Sequence, residues 1–421
     1  MVLALILFIT TYLLLLALPK YRAYIALFFA LVFVLVGILP LGDVFGSINW
    51  NVILMISGTM GIVSLFIESK MPARLAELII NRVPNVKWAI ISLALFSGII
   101  SAFIDNVATV LMIAPIALTI AKKLKISPVP SIIAISIASN LQGAATLVGD
   151  TTSILLGGYA NLNFIDFFFL DGKIGMFFVV QLGALTSTLV LLYVFRKEKQ
   201  PVEITHKTEV KEFFPTILLV GMVVFLIIAS FIPNTPAEIN GIICISLLVI
   251  GLVWEIFKTK ETNVIKKTLK EIDYFTLLLL GGLFIIIAGI KEAGVIDAIS
   301  VLISNISNGN VFLIFTIIVW FSVLISAFID NIPYVATMLP VVGAIALSLG
   351  IDPYLLYFGL ITGATLGGNL TPIGASANIA AIGILRKEGH EVSAKQFMKL
   401  GIPFTLAAVT VGYLLVWFIW S

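Results

Sequence analysis

The chain has 421 residues, of which 60% are hydrophobic and only 11% charged, with a net charge of +3 and a mean hydropathy of +1.16. Soluble domains carry roughly 25% charged residues, so this chain cannot cover a water-facing surface; a soluble enzyme, a disordered segment and a secreted disulfide scaffold are excluded. The one cysteine, Cys244, lies in an apolar run and excludes an internal disulfide or a cysteine-cluster metal site.

Apolar runs long enough to cross about 30 Å of hydrocarbon, roughly 20 residues each, fall near 2–18, 22–39, 50–67, 173–195, 213–232, 239–257, 273–290 and 398–419. The first has neither a basic flank nor a small-residue cleavage site, so it reads as a retained span. Residues 72–82 and 292–304 read as amphipathic segments lying at opposite interfaces. Residues 88–121 and 311–349 each hold two apolar arms around the polar centre FIDN and read as re-entrant hairpins. Residues 130–160 and 354–386 are interrupted by QGAATLVGDTTS and GGNLTPIGASAN and read as broken helices that cross once. Non-helical backbone at membrane depth is tolerated only where protein or a water-filled cavity surrounds it.

This assignment gives every loop a side. Of the 25 basic residues, 23 fall on one side and only Lys173 and Lys291 opposite. The positive-inside rule makes the rich side cytoplasmic. The protein is then a multi-pass protein of the plasma (inner) membrane, with both termini extracytoplasmic and the polar linker 196–212 cytoplasmic. His206 and His390 both fall in cytoplasmic segments, which leaves no histidine for a metal site at depth.

The linker divides the chain into 1–195 and 213–421, and the two parts are related. Residues 100–115, ISAFIDNVATVLMIAP, match residues 325–340, ISAFIDNIPYVATMLP, at nine of 16 positions with an offset of 225. The same offset aligns LQGAATLVGDTTSI (141–154) with LGGNLTPIGASANI (366–379). Five crossings in each half, an odd number, turn the second copy upside down. The expected fold is an all-α integral membrane protein with an inverted-topology repeat, each half holding five crossings, one of them a broken helix, plus a re-entrant hairpin. In such transporters substrate and ions bind near the midplane, where discontinuous helices of the two halves meet.

The strings SAFIDN, SNLQGAATLVGD, SAFIDNIPYVATMLP and GGNLTPIGASANIAAIGI resemble those of the ion-transporter superfamily. The branch they resemble holds arsenite-efflux permeases, D-type Na⁺/H⁺ antiporters and the melanosomal P protein, alongside citrate-transporter-like domains. The resemblance implies a homodimer with scaffold and transport subdomains. One departure is visible: where that family usually has GDPPN, this chain has Gly149-Asp150-Thr151-Thr152-Ser153.

Of the 22 acidic residues, only Asp105, Asp150 and Asp330 fall within membrane segments. A carboxylate there costs roughly 2.5–3.5 kcal/mol on insertion scales and marks a functional site by default. Asp105-Asn106, with Thr109 beside them, and Asp330-Asn331 occupy the hairpin tips. Their oxygens suit a hard cation such as Na⁺; the alternatives are that an Asp carries a proton, or that each Asp caps its returning helix. In the broken helices, Gly149 and Gly374 admit close backbone approach. Thr146, Thr151, Ser153, Thr371, Ser376 and Asn378 add hydroxyls and amides near exposed helix N-termini that suit an oxyanion. The competing view is that these small residues only permit tight packing. Asn140, before the first break, is a further candidate, equally readable as a helix-terminal hydrogen bond. Asp150 aligns with Ala375, so only one half carries this third carboxylate. No Lys or Arg is expected at membrane depth.

The leading expectation is a secondary active transporter of a small inorganic ion or oxyanion, coupled to H⁺ or Na⁺, as in Na⁺/H⁺ exchange or arsenite and antimonite efflux. It needs the lipid bilayer and no nucleic acid, and no cofactor beyond its coupling ion. The alternative is a Na⁺-coupled carboxylate or sulfate symporter. A channel, and an intramembrane aspartyl protease using Asp105 and Asp330, are remoter readings; the latter lacks the first glycine of a GxGD string before Asp150.

Overall fold

The computed structural model describes residues 1–202, 208–260, 263–306 and 309–421, so His206 lies outside the described residues. Helices dominate. In the first part of the chain they are Val2–Ala17 (α1), Arg22–Leu35 (α2), Val44–Ser47 (α3), Trp50–Glu68 (α4), Met71–Ile80 (α5), Val86–Ser101 (α6), Asn106–Leu124 (α7), Val129–Gly143 (α8), Thr151–Ala160 (α9) and Met176–Val194 (α10). In the second they are Phe214–Ser230 (α11), Ile239–Thr259 (α12), Asn263–Glu271 (α13), Tyr274–Glu292 (α14), Val295–Ile306 (α15), Val311–Ser326 (α16), Asn331–Leu349 (α17), Pro353–Gly367 (α18), Ser376–Lys387 (α19) and Ala394–Trp420 (α20). Among the described residues the strands are Phe169–Leu170 (β1) and Lys173–Ile174 (β2), an antiparallel pair. Asp171 and Gly172 join them with positive φ, as a tight hairpin turn requires.

Among the described residues, seven helices are long and apolar enough to cross a membrane: α4, α7, α10, α12, α14, α17 and α20. The protein is a multi-pass integral membrane protein. Where the sequence suggests two separate spans at 2–18 and 22–39, the structure has a pair of shorter helices bent by 115°. Pro19 is the cause. It removes a backbone donor and disfavours helical geometry at Leu18, which sits at φ −127°, ψ 66°. The returning arms α7 and α17 are 19 residues each and match the full spans in length, whereas α6 and α16 are 16.

The offset of 225 residues reappears in three dimensions. Helices α6 and α16 correspond to the residue, as do α7 and α17. Contacts repeat as well: α2 packs on α14 as α12 packs on α4, and α6 on α8 as α16 on α18, while α10 and α20 pack on each other. At the centre lie α8 and α18. All of α8 except Pro130 is buried, as expected for a helix apolar on every side and surrounded by protein. Outer helices such as α1 instead expose Leu3, Ile6, Ile9 and Leu13, a surface suited to lipid.

The linker is strapped to the first part of the chain. Val86 and Lys87 donate backbone N–H groups to the carbonyls of Gln200 and Glu198, and Lys211 donates to Ser69. Glu77 of the amphipathic α5 is buried and accepts from the Thr208 N–H at 2.7 Å and from the Thr208 hydroxyl. His390 follows α19, its N–H donating to the Leu385 carbonyl.

Candidate functional site

Each interruption that the sequence marks is a real break, and the two are built alike. Between α8 and α9 the chain leaves helical geometry at 144–150, and Thr146 donates its hydroxyl to the Ala102 carbonyl at the first hairpin tip. Between α18 and α19, Thr371 donates to the Ala327 carbonyl in the same way. Gly149 sits where a Cβ would lie 2.6 Å from the Gly143 oxygen and 2.8 Å from those of Ser101 and Ala102. Gly374 is its counterpart, with Gly368, Ser326 and Ala327. These glycines therefore let a broken helix approach a hairpin tip, backbone against backbone. Ser153 and Asn378 close the pattern: the Ser153 hydroxyl donates to the Gly143 carbonyl at 3.2 Å, and the Asn378 amide to the Gly368 carbonyl at 3.1 Å.

Those six residues are buried in mutual contacts and do not face open space. Asn140 belongs with them. Its amide donates to the Thr365 carbonyl at 2.8 Å and the Asn369 side chain at 3.1 Å, while its oxygen accepts from Asn106 at 2.9 Å. Asn140 and Thr365 are equivalent positions of the repeat, so this bond ties the two halves where their central helices meet. Ser136 adds a second tie, donating to Asn378 at 2.5 Å.

The hairpin aspartates cap their returning helices. Asp105 Oδ2 accepts from the N–H groups of Val107 (2.9 Å) and Ala108 (3.1 Å), and Asp330 Oδ1 from Ile332 at 3.1 Å. Each cap contributes about 1 kcal/mol to its helix, and an oxygen remains for other work. Thr109 turns back onto the Asp105 carbonyl at 3.0 Å.

Between the tips lies a cavity of about 420 Å³. Asp105, Asn106, Asp150, Thr151, Asn331 and Ser376 line its inner end. Its mouth is formed by Glu68 at the end of α4, by Lys267 and Glu271 of α13, and by Asp273 at the start of α14. Lys267 pairs with Glu68 at 2.7 Å. Asp150 accepts from the Thr152 hydroxyl at 3.1 Å, and that hydroxyl also contacts the Thr365 hydroxyl at 2.9 Å. The side-chain nitrogen of Asn331 is buried without a protein partner. The inner surface thus offers two carboxylates, side-chain amides and hydroxyls, and the start of α9. That donor set suits a hard cation, or an anion accompanied by one. No cluster of three or more His, Cys, Asp or Glu among the described residues could hold a transition metal.

Two features escaped the sequence. Arg22, at the very start of the span read at 22–39, brings Nη1 to 3.3 Å from Asp330 Oδ2, and Tyr12 donates its hydroxyl to the Pro333 carbonyl at 2.8 Å. The expectation that no Lys or Arg lies at membrane depth left Asp330 without a basic partner, and Arg22 supplies one. The partners are separated by 308 residues, and no local pattern around Leu18-Pro19-Lys20 points to the pairing. Lys267 and Asp273 at the cavity mouth likewise follow only from the packing of α4 beside α13 and α14.

Comparison with known proteins identifies the family. The chain matches the model of the CitMHS family, described as citrate transporter, over residues 5–363 and again over 264–421. It is 31% identical to the 46 kDa membrane protein of Mycobacterium leprae (strain TN) over 99% of this chain and 98% of that one. It is 26% identical to the P protein of Homo sapiens over 88% of this chain and 54% of that protein. Among solved structures it resembles the YdaH transporter of Alcanivorax borkumensis, with a TM-score of 0.62 at 14% identity, covering 89% of this chain and 86% of the other. It also resembles MtrF of Neisseria gonorrhoeae, with a TM-score of 0.55 at 16% identity over 90% and 81%. By a family match along its length and relatives aligned almost end to end, this chain belongs to the CitMHS citrate-transporter family of the ion-transporter superfamily, and it is a secondary transporter rather than an enzyme.

Proposed function

We propose that the protein moves a small inorganic ion or oxyanion across the membrane, coupled to H⁺ or Na⁺, with Asp105 as the principal cation site and Asp150 as the proton-carrying or second carboxylate. The observation that carries this reading is the cavity itself, which brings Asp105, Asp150 and both hairpin tips to one accessible surface. The buried donor of Asn331 beside it supports an oxyanion as cargo. In this reading residues 1–195 and 213–421 are oppositely oriented repeats, and the linker and the mouth at Glu68 and Lys267 face the cytoplasm. The molecule is then inward-facing, and by its family resemblance it works as a homodimer.

A second reading is a carboxylate carried together with cations. The family's description as citrate transporter favours it. Uptake and counterflow of Na⁺, arsenite, citrate and sulfate in proteoliposomes, with and without a pH gradient, separate the two. Asp105→Asn is expected to abolish coupled flux at near-normal expression. Wild-type coupling in that variant would remove the cation site from Asp105.

A further inference from the structure

The two hairpin tips are equivalent in sequence and backbone, yet their carboxylates meet different surroundings. At the first, Asp105 lines the cavity, and no basic side chain among the described residues pairs with it. At the second, Arg22 Nη1 stands 3.3 Å from Asp330 Oδ2, with the two side chains only 16% and 20% exposed. The guanidinium is held from its other edge too, Nε donating to the Leu15 carbonyl at 3.0 Å. That carbonyl lies in the last turn of α1, among the acceptors a helix end leaves unpaired, where a basic group is favoured. The bend at Pro19 brings the end of α1 and the start of α2 to this spot. Tyr12 then occupies the Pro333 carbonyl, one of the backbone oxygens near the tip. No ion pair among the described residues involves Asp105, so the first tip has no such device.

We propose that Arg22 is a tethered cation filling the second hairpin's carboxylate, so that each protomer carries a single coupling cation per cycle, bound at the Asp105 tip. A hard cation and a guanidinium compete for the same carboxylate oxygens. Because an arginine stays protonated at any physiological pH, Asp330 is neutralised in a way no ion gradient can reverse. The repeat would otherwise offer two cation sites; this contact reduces them to one. The inference rests on the reading of Asp105 as the coupling-cation site.

Carbodiimide labelling of the purified full chain tests it. Dicyclohexylcarbodiimide attaches to protonated carboxyls in apolar surroundings, and peptide mass spectrometry assigns each adduct. Wild type is expected to label at Asp105 and to leave Asp330 at least tenfold less modified. Arg22→Ala should label at both, and Arg22→Lys should keep the wild-type pattern. Binding of ²²Na⁺ should read one ion per wild-type protomer and two in Arg22→Ala. Equal labelling of Asp105 and Asp330 in the wild-type protein, or two Na⁺ ions bound by it, overturns the proposal without any need for the variants to fold. If the labelling pattern holds while no Na⁺ binds, Arg22 still fills the second site and only Na⁺ as the coupling ion is lost. If Asp105 fails to label and Asp330 is modified, the reading of Asp105 itself falls.

Discussion

Adding one methyl group at Gly149 tests the construction of the site. The Cβ of an alanine there would lie 2.6 Å from the Gly143 oxygen and 2.8 Å from the oxygens of Ser101 and Ala102. All three are backbone atoms, so no side chain can rotate away, and the break and the hairpin tip must separate by several tenths of an ångström. Overpacking of this kind costs about 1–3 kcal/mol, and three simultaneous backbone contacts place Gly149→Ala at the upper end. The separation also loosens the Thr146 contact to Ala102 beside Asp105. Gly374→Ala meets equivalent atoms at 2.6, 2.6 and 2.9 Å and should behave alike. Gly281→Ala is the control: nothing lies within 4 Å of its added Cβ, and Gly to Ala inside a helix such as α14 is favourable by about 1 kcal/mol. Thermal unfolding of detergent-purified protein should therefore show both break variants melting well below wild type, and Gly281→Ala at or above it. If Gly149→Ala melts with wild type and transports normally, the close seating of break on hairpin is wrong.

Three further outcomes are expected. Asn140→Ala removes the tie between the central helices and leaves Asn106 and Asn369 each short of a buried partner, so chemical unfolding should register a loss of about 1–3 kcal/mol; a loss below 0.5 kcal/mol would contradict the network. Cys244 is fully buried, so it is a quiet background for membrane-impermeant thiol labelling. Cysteines at Ser127 and Lys395 should react only from the cytoplasmic side and one at Glu292 only from outside, while any reversed pattern defeats the proposed orientation. Thr208→Val, which removes the hydroxyl donated to buried Glu77, should speed proteolytic cleavage near the linker without altering uptake in proteoliposomes, and unchanged cleavage would show that the strap is not held there.

Much of this molecule is legible from residue order. Composition alone places it in a membrane, because so few charges cannot hydrate a surface of this size. The repeated FIDN and the paired Gly- and Thr-rich interruptions locate both tips and both breaks, since a span interrupted by polar, small residues needs protein around its freed backbone. Asp105, Asp150, Asn106, Thr151, Asn331 and Ser376 were all marked in that way and do share one cavity.

Contacts between distant segments decide the rest. Thr146, Ser153, Thr371, Asn378 and Asn140 carry the same polar signature as the lining residues, yet they satisfy backbone carbonyls inside the protein, because which face of a break meets a neighbour depends on how the hairpin folds over it. The same holds for charge: nothing near Arg22 or Asp330 in the chain announces the other, and only the bend at Pro19 and the seating of α1 and α2 beside the second hairpin make two tips of nearly identical sequence electrically different.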